Sequence, residues 1–176
     1  MPNPSQESAQ ELARLRQRVA ELEQQQQAQA SSQQEQADQQ ARQIEALRQS
    51  AAAVAQRGRA IEENRLARVA WYGEAGAALG NADLIMMGGS FAVGPLVESA
   101  RALLERAGGD AAGFSSAQEA SNARGALAAL QGVEYALAQS DLANARVALL
   151  SAVQYTVAAR SLARSAPHPL YAPPPP

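Results

Sequence analysis

The 176-residue chain has no cysteine and one histidine. Without thiols there is no disulfide, no thiolate metal site and no thiol nucleophile, and the redox character of the compartment stays open. Lysine is missing too, since all 15 basic residues are arginine. That usage fits a GC-rich bacterial or phage genome, and the arginines are too dispersed for a phosphate-binding cluster. Aromatic residues make up 4% of the chain, which favours thin, closely packed helices over a bulky core. The net charge of −2 comes from mixed acids and bases, so there is no basic stripe for nucleic acid and no acidic tail.

Long apolar runs are scarce as well. The opening MPNPSQESAQ has no basic segment followed by an apolar core, so no secretory signal is expected. The most apolar run, Leu84–Val97, is too short to span a bilayer; extending it back to Ala75 reaches spanning length but takes in Asn81 and Asp83. Catalytic chemistry also finds no foothold. His168 lies in a proline-rich tail, adjacent Glu62 and Glu63 diverge on a helix, and no strand precedes a glycine-rich loop. No catalytic residue, metal ligand or cofactor is expected, and no nucleic-acid partner.

What is present is helical. In Asp141–Ala163 the residues Leu142, Ala145, Leu149, Ala152, Val153, Thr156 and Val157 recur at helical spacing. Asp141 stands at the N-cap, Arg160 and Arg164 fall in the last turns, and Pro167 stops the helix. The preceding helix reaches about Gln139. It is capped by Ser115 or Ser116, with Glu119 at capping-box spacing from Ser116. Its stripe is Ala120, Ala123, Leu127, Leu130, Val133, Glu134 and Leu137. The corner at Ser140–Asp141 is too short for anything but antiparallel neighbours.

Upstream, a short helix is expected over Pro95–Ala107, ended by Gly108–Gly109 and followed by a loop over Asp110–Ser116. Before it, Ile61, Leu66, Val69, Ala70, Gly73, Ala77 and Leu84 form a stripe, and one of Trp71 and Tyr72 belongs to the core. Gly76 and Gly80 make a small-xxx-small pair for close helix approach, and Gly88, Gly89 and Gly94 break the run that follows. Leu96, Ala102, Leu103 and Leu104 echo Leu142, Ala148, Leu149 and Leu150 at a constant offset. Ala77, Ala82 and Leu84 echo Ala123, Ala128 and Leu130 at the same offset, as two similar hairpins would.

From Gln10 to Arg57 there is neither glycine nor proline. Leu12, Leu15, Val19 and Leu22 form an a/d seam; after a glutamine-rich middle the seam resumes with Ala37, Ile44, Leu47, Ala51 and Val54 in a register displaced as by a stutter. The rival for the middle is a glutamine-rich disordered tract. Polar all round there, the helix needs a partner. Gly58 is either a bend or a tolerated glycine. Ser8, three residues before Glu11, is a candidate cap, and the tail SAPHPLYAPPPP has polyproline II character.

The expected fold is all-α. A disordered lead-in covers residues 1–8 and a coiled-coil helix 9–57. An antiparallel bundle of about four helices covers 58–165, and a disordered proline-rich tail 166–176. Oligomerisation is assigned to Leu12, Leu15, Val19, Leu22, Ile44, Leu47 and Val54. The bundle core is assigned to Leu66, Val69, Leu84, Leu103, Leu127, Leu130, Leu142, Leu149 and Val153. The function expected is that of a non-enzymatic adaptor, cytoplasmic or in a virion, whose partners are copies of itself and other proteins of an assembly. The rival is a membrane-active protein, delivered by a virus particle or a secretion system, that uses Ala75–Val97.

Overall fold

A computed structural model of the chain describes residues 4–114 and 116–166. It is all-helical, with no strand among the described residues: α1 is Pro4–Met87, α2 Gly94–Phe114, α3 Ala117–Ala138 and α4 Leu142–Ser165. The chain divides into two compact units between Val54 and Ala55, and α1 belongs to both.

The helix of the first unit starts earlier than the sequence suggests. Pro4 opens it, where a missing N–H costs nothing, so Ser8 is an interior residue and not a cap. Met1–Asn3 lie outside the described residues. Along this unit polar side chains pair one turn apart: Gln17 Nε2 donates to Glu21 Oε1 at 3.4 Å, Gln34 Nε2 to Asp38 Oδ1 at 3.2 Å and Gln49 Nε2 to Glu45 Oε1 at 3.1 Å. Such pairs support a helix that has no glycine to weaken it.

Gly58 is a tolerated glycine. It is buried within α1, which continues to Met87. There the chain turns off in a Schellman arrangement: Gly89 N donates to Met86 O at 2.9 Å, Ser90 N to Ile85 O at 3.3 Å, and Gly89 adopts a φ of +81°.

In the second unit α1 presents a buried face made of Arg68, Tyr72, Ala75, Leu79, Ala82 and Met86. Against it pack Val93, Val97, Ala100, Leu104 and Ala107 from α2 and its lead-in, Ala123, Ala126, Leu130 and Val133 from α3, and Ala145, Leu149, Ala152, Ala159 and Ala163 from α4. Alanine dominates because the helices approach closely. A Cβ on Gly125 of α3 would come within 2.9 Å of the Tyr155 ring of α4, and one on Gly132 would meet Ala148 at 3.4 Å. Rising numbers in α3 therefore meet falling numbers in α4.

Two glycines expected to end α2 do not. The helix runs through Gly108 and Gly109 to Phe114, replacing most of the loop expected at Asp110–Ser116. Each interior glycine costs about 1 kcal/mol relative to alanine, a deficit that tertiary packing can offset. Gly108 lies against α3, where a Cβ would sit in ordinary contact, 3.5 Å from that of Ala123.

The caps of α3 and α4 follow the sequence closely. Ser116 Oγ accepts from Glu119 N at 3.2 Å, and Asp141 Oδ1 accepts from Asn144 N at 3.0 Å. Between them Ser140 N donates to Leu137 O and Asp141 N to Ala136 O, each at 2.9 Å, and Ser140 holds a left-handed φ of 56°. This is the α1 terminus repeated with serine in place of glycine. Ser115, Pro167, His168 and Tyr171, with the rest of the tail beyond Ala166, lie outside the described residues.

The internal echo does not survive as a structural repeat. Buried Leu104 corresponds to exposed Leu150, exposed Leu84 to buried Leu130, and buried Ala82 to exposed Ala128. A true repeat would place equivalent residues on equivalent faces.

Candidate functional site

The bundle holds one polar assembly deep in its interior. Arg68 of α1 and Glu119 of α3 are each 1% exposed, and Arg68 Nε donates to Glu119 Oε1 at 2.8 Å. A second guanidinium nitrogen of Arg68 donates to Asn64 Oδ1, one turn back on α1. The Tyr72 hydroxyl is buried beside them with no partner at hydrogen-bond geometry. Burial first, and then the neighbouring Glu119 carboxylate, hold the Tyr72 phenol well above its usual range.

What this assembly can do is hold α3 in register against α1. Breaking one partner of a buried pair leaves an uncompensated charge, so the pair specifies its own alignment. Glu119 also stands at the N3 position of the capping box, and its N–H goes to Ser116 while its carboxylate goes to Arg68. One residue thus fixes both the start of α3 and its position against α1. Sequence reasoning saw only the capping role.

Other pairs join the remaining helices. Arg146 Nε of α4 donates to Asp83 Oδ1 of α1 at 3.0 Å, Arg101 of α2 pairs with Glu134 of α3, and the Arg106 guanidinium of α2 lies 4.5 Å from the Trp71 ring centroid of α1. Arg65 bonds Glu62 and also donates to the Ala163 carbonyl at 3.2 Å, capping the last turn of α4. The close-approach pair is Gly73 and Gly76, not Gly76 and Gly80. Gly73 makes room for the Arg160 guanidinium and Gly76 faces the Thr156 methyl, whereas Gly80 has no neighbour within 4 Å.

Two shallow clefts lie at helix junctions. One of about 330 Å³ between α2 and α3 is lined by Glu105, Gly108, Gly109, Ala120, Arg124 and Leu127. The other, about 230 Å³, sits at the α3–α4 corner beside Gly132, Tyr135, Asp141 and Asn144. Among the described residues no group of three or more histidine or carboxylate side chains converges. Nor is any helix among them long and apolar enough to cross a membrane.

The residues assigned to the core are distributed unevenly. Leu130 and Leu149 are fully buried; Val69, Leu103, Leu127, Leu142 and Val153 are partly buried and pack against the core. Leu66 and Leu84 are 53% and 65% exposed, contrary to expectation, and so is Val157 of the α4 stripe at 59%. The α1 stripe read from the sequence mixed two faces. Leu66, Ala70, Ala77 and Leu84 share the outer one, while Arg68 and Tyr72 on the inner one disguise it as polar.

All seven residues assigned to oligomerisation are exposed in the single chain. Leu12, Leu15, Val19, Leu22, Ile44, Leu47 and Val54 range from 51% to 68%. The chain matches no protein family, no curated protein and no solved structure.

Proposed function

We propose that this protein is a non-enzymatic structural adaptor. Its N-terminal helix forms a coiled coil with other copies, and its antiparallel helical bundle is presented to further proteins of an assembly. The observation that carries the reading is the exposed seam from Leu12 to Val54: seven large apolar side chains at a/d spacing on a helix otherwise polar. A helix of this kind depends on a partner for its stability, because propensity alone supports long isolated helices only marginally. On the bundle, Leu66, Leu84 and Met87 of α1 and Leu150 and Val157 of α4 are further large apolar side chains in contact with solvent. These residues lie on the outer faces of the two helices, away from the buried faces that carry Tyr72 and Leu149, where further proteins can reach them.

Membrane activity through Ala75–Val97 would need the bundle to open. Ala75, Leu79, Ala82, Met86, Val93 and Val97 are all fully buried, and Asp83 is held by Arg146. Liposome flotation at neutral and acidic pH tests that route, and absence of binding at both removes it.

Sedimentation equilibrium of the whole chain and of residues 58–176 tests the adaptor reading. Association of the whole chain with monomeric behaviour of the shorter one is expected. Two monomers at micromolar concentration would refute self-assembly through the N-terminal helix.

A further inference from the structure

The exposed seam specifies more than self-association. Resting on the oligomerisation reading above, we propose that its occupant is one second copy of this chain, parallel and in register, forming a two-stranded coiled coil over residues 12–54.

The seam residues themselves point to two strands. Among the large seam residues, β-branched Val19 and Ile44 share the a positions with Leu12, and Leu15, Leu22 and Leu47 share the d positions with Val54, so β-branched residues predominate at a and leucine at d. That combination favours parallel dimers over higher oligomers. The one-turn polar pairs Gln17–Glu21 and Gln49–Glu45 lie at b, c and f positions, away from the seam. The seam is therefore free to receive a helix without breaking them.

Direction is decided by charge, because apolar matching permits both. Laid antiparallel about residue 33, Leu12 would meet Val54 and Leu22 would meet Ile44 of the second copy. The same alignment sets Arg16 against Arg48, which offsets the favourable approach of Glu11 to Arg57. In the parallel alignment each g position faces an e position five residues on. Glu11 then meets Arg16 of the second copy, and Arg18 meets Glu23. Further along, Gln36, Gln43 and Ser50 meet Ala41, Arg48 and Ala55, so no like charges are opposed. Flanking charges of this kind set partner choice and orientation.

A third observation is continuity with an interface the chain already makes. The alternating spacing of Ile44, Leu47, Ala51 and Val54 continues without a break through Gly58, Ile61, Arg65, Arg68, Tyr72, and on to Met86. From Gly58 onward that spacing marks the α1 face buried or half-buried within the bundle. The upstream residues thus extend a face designed for helical neighbours into a region where this chain supplies none.

The absence of cysteine allows a clean test in the whole 176-residue chain. Gln40 is a d residue of the second register and Gln26 an a residue of the first, so neither Gln40→Cys nor Gln26→Cys removes an apolar contact. Under mild oxidation, Gln40→Cys is expected to link to its own copy, as is Gln26→Cys. A 1:1 mixture that yields only the mixed 26–40 link would overturn the parallel arrangement. Arg16→Glu supplies an independent sign. It opposes Glu11 in the parallel dimer and should raise the dissociation constant about tenfold at low salt, with two such pairs per dimer. In the antiparallel one it would pair with Arg48 and tighten association. Sedimentation equilibrium accompanies both measurements. A trimer or larger species overturns two-strandedness alone, while a monomer overturns this proposal together with the oligomerisation reading.

Discussion

The two halves of α1 use one spacing for two different ends. Between Ala55 and Met87 the a/d face is covered by α2, α3 and α4, and it includes Arg65, which reaches the Ala163 carbonyl, and Arg68, which reaches Glu119. Between Leu12 and Val54 the corresponding positions carry leucine, isoleucine, valine, alanine and glutamine, and the large apolar ones are more than half exposed. The covered half affords polar chemistry in its core, since a buried pair is tolerable where its geometry is fixed. The uncovered half has simple residues that can meet a copy of themselves. One spacing therefore accompanies two outcomes, a face buried by its own chain with individually paired polar residues and an exposed face of simple apolar and glutamine residues.

The largest effect expected from disturbing that contrast is in the covered half. Glu119→Ala leaves the Arg68 guanidinium buried with only Asn64 for company, and should destabilise the bundle by about 3–5 kcal/mol in denaturant melts. Rescue by also replacing Arg68 with methionine would sharpen the point, because an apolar pair of similar volume is often no less stable. Next comes Leu149→Ala, which empties a fully buried site in α4 and should cost about 2–5 kcal/mol. The matching change Leu15→Ala should leave bundle melting unchanged and weaken association instead. Equal destabilisation of a single transition by both would break the comparison.

Glycine substitutions give smaller effects of opposite sign. Gly125→Ala drives a methyl group into the Tyr155 ring and should destabilise by about 1–3 kcal/mol, less the helix-propensity gain. Gly80→Ala meets nothing and should stabilise by up to about 1 kcal/mol. Ser140→Gly relieves a left-handed residue at the α3 terminus and should add about 1 kcal/mol. The smallest effect is at Asp141, whose carboxyl is held below its usual range chiefly by the Asn144 N–H. A lowered folded pKa stabilises above the unfolded value of 3.8 and is lost as pH falls through the folded one. Asp141→Asn keeps a cap that does not titrate, so its melting temperature should fall less than that of the natural chain on acidification below about pH 4.

Much of this architecture is legible in the sequence where the signal is local. Asp141 and Ser116 cap the helices for which their spacing marks them, and Gly89 takes the left-handed position that only glycine occupies without strain. Signals that depend on distant neighbours are not legible. Gly108 and Gly109 read as a helix stop because the tertiary packing beside Gly108, where Ala123 of α3 approaches, is invisible in one dimension. The Arg68–Glu119 pair joins residues far apart in the chain, and no local pattern announces it. Leu66 and Leu84 were assigned to the core because α1 carries apolar residues on two faces, and the polar Arg68 lies on the one that is buried. Periodicity gives the period of such a helix and leaves its phase open.

One region of α1 is covered by its own chain, and for the other the proposed cover is a second copy. Thermal unfolding followed by circular dichroism over a roughly hundredfold range of protein concentration tests it most directly, because association makes a midpoint concentration-dependent and intramolecular packing does not. Two transitions are expected: one whose midpoint rises with concentration and which Arg16→Glu lowers, and one that stays fixed and which Leu149→Ala lowers. A single transition independent of concentration across that range would contradict the account.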